Sequence, residues 1–192
     1  MIARPATLAA ALALLAAPAL GQNLTIATGG SVTSVDPHFF NAAPNSSLAL
    51  HFFETLVDRT HDAKLVPGLA TEWRAVSPTI WEFKLRPNVT WHDGRPFTAA
   101  DVVFTLNRVP NVPNSPGGFT GFIRSIERTE VVDPLTVRFH TSYPNPILPT
   151  EIASIFVISR HAGEGAGTED YNSGRAVIGT GPFRFASHRM GD

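Results

Sequence analysis

Residues 81–108 read WEFKLRPNVTWHDGRPFTAADVVFTLNR, and three local signals in this stretch decide the class of fold. From Ile80 to Leu85, Trp81, Phe83 and Leu85 fall on one side of an extended chain, and Ile80, Glu82 and Lys84 fall on the other. This alternation predicts a strand with one buried face. His92-Asp93-Gly94 carries an Asp-Gly dipeptide, which forms turns because glycine accepts a positive φ and the Asp side chain bonds to nearby backbone. Thr98-Ala-Ala-Asp101 is a capping box: the threonine hydroxyl can accept from the Asp101 amide, and the Asp101 carboxylate can reach back to the Thr98 amide. A helix is predicted to follow through Val102, Leu106 and Val109, with Thr98 as the more valuable half of its cap. Strand, turn and capped helix in succession point to a mixed α/β domain.

The flanking segments carry the same vocabulary. Leu24, Ile26 and Thr28 alternate with Thr25 and Ala27, which predicts a short strand opening into the Gly29-Gly30-Ser31 loop. Leu48, Phe52 and Leu56 recur at four-residue spacing, which predicts a helix from Asn45 to Val57 capped by Asn45, Ser46 or Ser47. Pro110 to Gly121 is rich in proline and glycine and reads as a loop. Val131 and Val132, the Asp133-Pro134 turn, and Leu135, Val137 and Phe139 form a hairpin pattern. Ile155 to Ile158 is a continuous apolar run consistent with a strand buried on both faces. Gly179-Thr180-Gly181-Pro182 punctuates the approach to a last short strand at Phe183 to Phe185.

Of the 192 residues, 43% are hydrophobic, enough to bury a core, and 16% are charged. Fifteen basic against 16 acidic residues leave a formal net charge of -1, so no basic field exists to hold a nucleic-acid backbone. The absence of cysteine excludes disulfides, thiolate metal sites, iron–sulfur clusters and cysteine nucleophiles. Residues 1–21, MIARPATLAAALALLAAPALG, combine Arg4, an apolar run from Leu8 to Ala17 and an A-L-G cleavage pattern. That run is about half of the ~20 residues a bilayer helix needs, so the segment reads as a secretory signal cut before Gln22.

Catalytic signatures are scarce. There is no Walker loop, dinucleotide glycine fingerprint, G-x-S-x-G elbow or H-E-x-x-H. His51 and Glu54, three residues apart on the expected helix, could share a face as metal ligands, which leaves an exported metal-dependent hydrolase as the alternative reading. His92 and Asp93 are better explained by the turn than by catalysis, since neighbours on an extended chain point to opposite faces. Trp73, Trp81, Phe83 and Trp91 could form a stacking platform, but their alternation with polar residues matches ordinary sheet core.

LVPGLATEWRAV (65–76) and the 81–108 stretch, flanked by SVDPHFF (34–40), FFETLVDR (52–59), VVDPLTVRFHTSYPNPILP (131–149) and VIGTGPFRF (177–185), resemble the peptide/nickel-type, family 5 bacterial extracellular solute-binding proteins. The resemblance covers the chain from Leu24 onward. It implies a periplasmic component of an ABC importer that captures a small-molecule or peptide solute and hands it to membrane permease subunits, with no reaction, cofactor, metal or nucleic acid involved. The implied architecture is the first lobe of a two-lobed, periplasmic-binding-protein-like (type II) α/β fold, truncated: residues 1–21 signal, residues 22–192 N-terminal lobe, second lobe absent. It also implies two ligand-facing loops, Gly30, Ser31, Val32 and Thr33 after the first strand, and Gly117, Gly118 and Phe119 after the TAAD helix. Members that bind peptides often carry an acid in the first loop, but none stands between Ala27 and Val35 here. If the signal reading is correct, N-terminal sequencing of exported protein should begin at Gln22, and a mature chain that retains Leu8 to Ala17 would refute it.

Overall fold

In a computed structural model, residues 24–27 and 29–189 are described, so the signal reading of residues 1–21 and the Thr28 end of the expected first strand lie outside them. The described elements are α1 (Ala43–Phe52), β1 (Val57–Arg59), β2 (Leu65–Pro67), β3 (Ala70–Ser77), β4 (Ile80–Leu85), α2 (Ala99–Arg108), β5 (Ile126–Asp133), β6 (Thr136–Thr141), α3 (Leu148–Ile152), α4 (Arg160–Gly163) and α5 (Thr168–Asn172). β1 and β2 form a small antiparallel ribbon. The main sheet is fully antiparallel in the order β3-β4-β6-β5.

The alternation read in β4 is realised across this sheet. Phe83 stands opposite Trp73 on β3 and Val137 on β6, and Trp81 stands opposite Ala75 and Phe139. Phe83 and Phe139 pack with ring centroids 4.8 Å apart, beneath the apolar side of α2 formed by Val102 and Leu106. The candidate stacking platform is therefore core: Phe83 and Trp91 are buried, and Trp73 and Trp81 lean on the same cluster half-buried. On the opposite face Glu82 is buried because it is clasped from both sides, by Arg74 and Arg138, each at 2.7 Å. These two guanidiniums hold its carboxyl below the usual carboxylate range.

Four expected elements differ. Leu24 to Ala27 form no strand: the segment is exposed, and Leu24 and Ile26 lack a β partner among the described residues. α1 begins at Ala43 with Pro44 in its first turn instead of a polar cap, and it stops at Phe52. Leu56 belongs to the chain leading into β1. Ile155 to Ile158 is buried as expected, yet among the described residues its β pairing is limited to an isolated bridge from Phe156 to Thr55, beside a bond from the Val157 amide to the Glu54 carbonyl (2.8 Å). Its burial comes from docking between two apolar clusters and not from sheet pairing. Phe183 to Phe185 is likewise no strand.

What the 179–183 segment does instead is close the end of α1. Gly181 and Phe183 donate to the carbonyls of Phe52 (2.9 Å) and His51 (3.0 Å), which the helix leaves without intrahelical partners. A Cβ at position 179 would stand 1.7 Å from the Phe52 oxygen, so glycine is required for this approach. His92 locks the contact from the other side. Its amide donates to the Gly179 carbonyl (2.9 Å), its Nδ1 accepts from the Gly179 amide (3.2 Å), and its Nε2 faces the Gly181 carbonyl (2.8 Å). The Asp-Gly turn, with Gly94 at φ 87, thus aims His92 at a distant glycine segment, while Asp93 turns away from it to meet His161.

The cap of α2 also departs from the expected order of importance. The Thr98 amide donates to Asp101 Oδ2 (2.9 Å), while the Asp101 amide goes to the Thr98 carbonyl (3.0 Å) and the Thr98 hydroxyl itself points at the Asp101 carboxylate (3.3 Å). The second carboxylate oxygen of the buried Asp101 accepts from the Arg160 amide (2.9 Å), at the first residue of α4. One carboxylate therefore serves two helix starts. Asp101→Ala leaves two amides to be re-solvated and should cost about 2–3 kcal/mol, whereas Thr98→Ala should cost about 1 kcal/mol or less. Chemical-denaturation midpoints of the two variants check the order, and a larger loss in the threonine variant would contradict it.

Candidate functional site

The segment 34–41 runs between the two loops singled out in the sequence and holds both. At its start, Asn45 of α1 accepts from the Thr33 amide (3.2 Å) and donates to Thr33 Oγ1 (3.0 Å), and Asn172 of α5 accepts from the Ser34 hydroxyl (2.8 Å) and the Val35 amide (2.9 Å). At its end, Phe40 bridges to Gly117, the Asn41 amide donates to the Gly117 carbonyl (2.8 Å), and Ser115 Oγ donates to the Phe39 carbonyl (2.5 Å).

Both loops therefore flank the entry to α1. Gly30 lies against Pro44, where a Cβ would come within 3.0 Å, and Gly117 lies against the Phe40 ring. Gly30, Ser31, Thr33 and Gly118 are exposed, and Val32 and Gly117 are half-buried. Phe119 differs from this pattern. It is 1% exposed and packs against His38 and Phe122, so its ring belongs to the core and only the loop before it faces solvent.

Between the ends lies a buried ionic cluster. Asp36, 1% exposed, receives a two-pronged pair from Arg108 at the end of α2, with Nη1 to Oδ1 at 2.9 Å and Nη2 to Oδ2 at 2.7 Å. Thr168 Oγ1 (2.9 Å) and the His38 amide (3.0 Å) complete the set of donors to this carboxylate. The guanidinium also lies 4.5 Å from the centre of the Tyr171 ring, a cation–π contact. Burial alone would raise the carboxyl of Asp36, but the Arg108 pair and the His38 amide overcome it and hold the group below its ordinary value. Arg108 is correspondingly raised by Asp36 against its own burial.

His38 is fully buried and neutral by the same logic. Its Nε2 donates to the Phe156 carbonyl (2.7 Å), and its Nδ1 accepts from Arg108 (3.1 Å). Burial first and the Arg108 charge second push its pKa down to about 4, against smaller opposing effects of Asp36 and the Phe156 carbonyl.

The alternative metal pair is not assembled. His51 donates from Nδ1 to the Ser47 carbonyl (2.9 Å) and packs on Phe183, while Glu54, beyond the end of α1, is held by Arg86 at 2.9 and 3.0 Å. Among the described residues no group of three or more His, Asp or Glu could hold a metal ion.

Residues 64–192 match the family described as bacterial extracellular solute-binding proteins, family 5 middle. The chain belongs to this family. The glutathione-binding protein GsiB of Pectobacterium atrosepticum is 32% identical over 184 residues, an alignment that takes in 94% of this chain and 35% of that protein. The structure of Haemophilus influenzae OppA in complex with the peptide RPPGFSPFR superposes with a TM-score of 0.74 at 25% identity, covering 84% of this chain and 35% of OppA. MoaA from A. tumefaciens R10, in complex with mannopinic acid, superposes with a TM-score of 0.70 at 29% identity, covering 84% of this chain and 34% of MoaA. The α/β fold described above is thus a portion of a two-lobed periplasmic-binding-protein architecture, and the chain spans about a third of the length of the relatives it matches.

Sequence pattern does not single out Asp36, Arg108 and Asn172, and it marks Asn45 only as a helix cap, a place that Ala42 takes instead. The one available signal was an arginine closing an otherwise amphipathic helix, and nothing local pairs it with an acid 72 positions earlier. The state of His38 makes the cluster sensitive to acid. The unfolded chain binds a proton at His38 below about pH 6.5, whereas the folded chain resists until about pH 4. Stability should therefore be full above the upper value and fall as pH drops through this window, by on the order of 3 kcal/mol from this group. Urea unfolding across the window checks the slope, which should be shallower in His38→Gln.

Proposed function

We propose that this protein is the periplasmic solute-binding component of an ABC importer, holding a small solute between two lobes and delivering it to membrane permease subunits without chemical change. The observation that carries the reading is the 34–41 segment, bonded at both ends, which brings the largely exposed loops Gly30–Thr33 and Gly117–Gly118 to the start of α1. Loops fixed by a buried scaffold, with backbone groups open to solvent, are suited to recognising a polar ligand at low ordering cost. Membership of the family supports the transport role, and relatives such as the periplasmic oligopeptide-binding protein OppA of Escherichia coli support the compartment. Among the described residues no helix is long and apolar enough to cross a membrane.

Glutathione, a nonapeptide and mannopinic acid, the solutes named for three relatives, share carboxylate and amide or amine groups on a small flexible skeleton. A peptide-like or opine-like solute is therefore the class to test first. The described loops carry no carboxylate, so they would meet an ammonium group of the solute with backbone carbonyls and hydroxyls and not with a countercharge.

Calorimetry of the whole protein with glutathione, the RPPGFSPFR peptide and mannopinic acid tests the class, and binding of at least one is expected. Residues 22–192 alone supply one wall. Losing several hydrogen bonds at ~1 kcal/mol each should then weaken binding of the same solute by orders of magnitude. Equal affinity in the two would overturn the two-lobed mechanism.

A further inference from the structure

The buried apolar residues fall into two clusters that divide the chain. One lies within 56–157, around Phe83, Phe139 and α2, and the other joins residues 35–53 to 156–177, around Phe53, Phe156 and Tyr171. The backbone crosses between them at 53–56 and again at 155–158, and the two crossings are joined by the Thr55–Phe156 bridge. Along the second crossing successive side chains go to opposite clusters, Ile155 and Val157 to one and Phe156 and Ile158 to the other. Phe104 and Ile178 add apolar contact across the seam, and polar side chains stitch it, three of them histidines.

Two of the three are latched through a lone pair. His38 accepts at Nδ1 from Arg108 (3.1 Å) and donates from Nε2 to the Phe156 carbonyl (2.7 Å). His92, on the other side of the seam, accepts at Nδ1 from the Gly179 amide (3.2 Å) and donates from Nε2 to the Gly181 carbonyl (2.8 Å). A guanidinium and an amide can only donate, so each ring is neutral and protonated at Nε2 alone. A second proton turns Nδ1 into a donor facing a donor. His161 behaves in the opposite sense: its Nε2 meets Asp93 Oδ2 (2.5 Å) across the seam, a contact that a proton on the ring strengthens.

The neighbouring charges do not cancel this. Asp36 and Arg108 face His38, so a charged ring adds a second cation to a single carboxylate. Residues 179–183, which face His92, carry no titratable side chain. Asp93, next to His92 in the chain, is engaged by His161, the Arg95 amide (3.2 Å) and the Arg95 guanidinium (3.8 Å). His51, packed on Phe183, bonds to the Ser47 carbonyl.

We propose that the seam is an acid-operated latch: protonation of His38 and His92 at Nδ1 frees residues 57–155 to shift against the rest of the chain about the paired crossings, while Asp93–His161 stays closed as a pivot. The two loops singled out above lie on opposite sides of this seam. Thr33 is tied to Asn45 and its neighbour Ser34 to Asn172, whereas Gly117 belongs to the other side and meets the first only through Phe40 and Asn41. The latch thus sets the spacing of the loops, and acid would loosen their joint hold on a solute, a consequence that rests on the proposed binding role.

Hydrogen exchange of the whole chain without solute tests the latch apart from that role. Opening that returns His38 to water lets it take up one proton between about pH 6.5 and about pH 4, so the opening constant should rise about tenfold per pH unit in that window. The amides of His92, Gly179 and Asn41, which bond across the seam, should report this rise after correction for intrinsic exchange, with little dependence on dilute urea. Amides of the β4–β6 ladder should stay at least roughly tenfold better protected at each pH and exchange only with global unfolding. In the double variant His38→Gln, His92→Gln, each side-chain amide can still accept and donate but takes up no proton, and the pH dependence of the seam should vanish. Seam and ladder amides with equal protection and equal urea dependence, seam exchange indifferent to pH, or a double variant with the original slope would each overturn the proposal. The first two outcomes are read on the unaltered protein and decide the matter even if the double variant does not fold.

Discussion

A carboxylate and a guanidinium removed from water cost several kcal/mol each in lost hydration, and only close, saturated pairing returns it. Asp36 and Arg108 meet that demand with two parallel hydrogen bonds, a threonine hydroxyl and a backbone amide. The pair cannot be left half-made, so wherever it forms, the ends of three separate pieces of chain must stand in one arrangement. These are the 34–41 segment, the last turn of α2 and the start of α5. The surrounding apolar contacts around Phe53, Phe156, Ile158 and Tyr171 supply the stabilisation, and the ion pair supplies the uniqueness.

The same economy recurs around it. Asp101 starts two helices, His92 fixes three backbone groups of one glycine segment, and Asn45 and Asn172 each hold a stretch of loop that has no regular structure to hold itself. Short helices and a small ribbon bury little surface each, so the lobe is ordered by side chains bridging to backbone as much as by its elements. The 30–33 and 117–118 loops are tied into this network, through Thr33 at one end and the Gly117 carbonyl at the other.

What the sequence made legible follows from distance along the chain. The β4 alternation, the Asp-Gly turn, the helix start at TAAD and the hairpin around Asp133-Pro134 are each determined within a few residues, and each is present. Leu24–Ala27, Ile155–Ile158 and Phe183–Phe185 have strand-like composition, but a strand exists only with a partner, and composition does not name one. The two loops are named by resemblance to the family alone, and no local pattern in the residues marks them. Phe119 was placed with its neighbours because glycine-rich stretches have no periodicity from which to infer which side chain turns inward. The anchors beneath the loops were hidden for a different reason, since Asp36, Arg108 and Asn172 are joined across most of the chain.

That last separation bears on how the molecule acquires its shape. The bonds from Ser34 and Val35 to Asn172 span 138 and 137 positions, and those closing α1 wait for residues 181 and 183. Contacts of such range require large loops to close before any reward is gained, which slows folding. The segment that opens the described chain is thus among the last to be secured. Until Asn172 and Gly181 arrive, residues 30–52 have neither their tether nor the closure of their helix, and this segment takes its final form only when almost all of the described chain has been laid down.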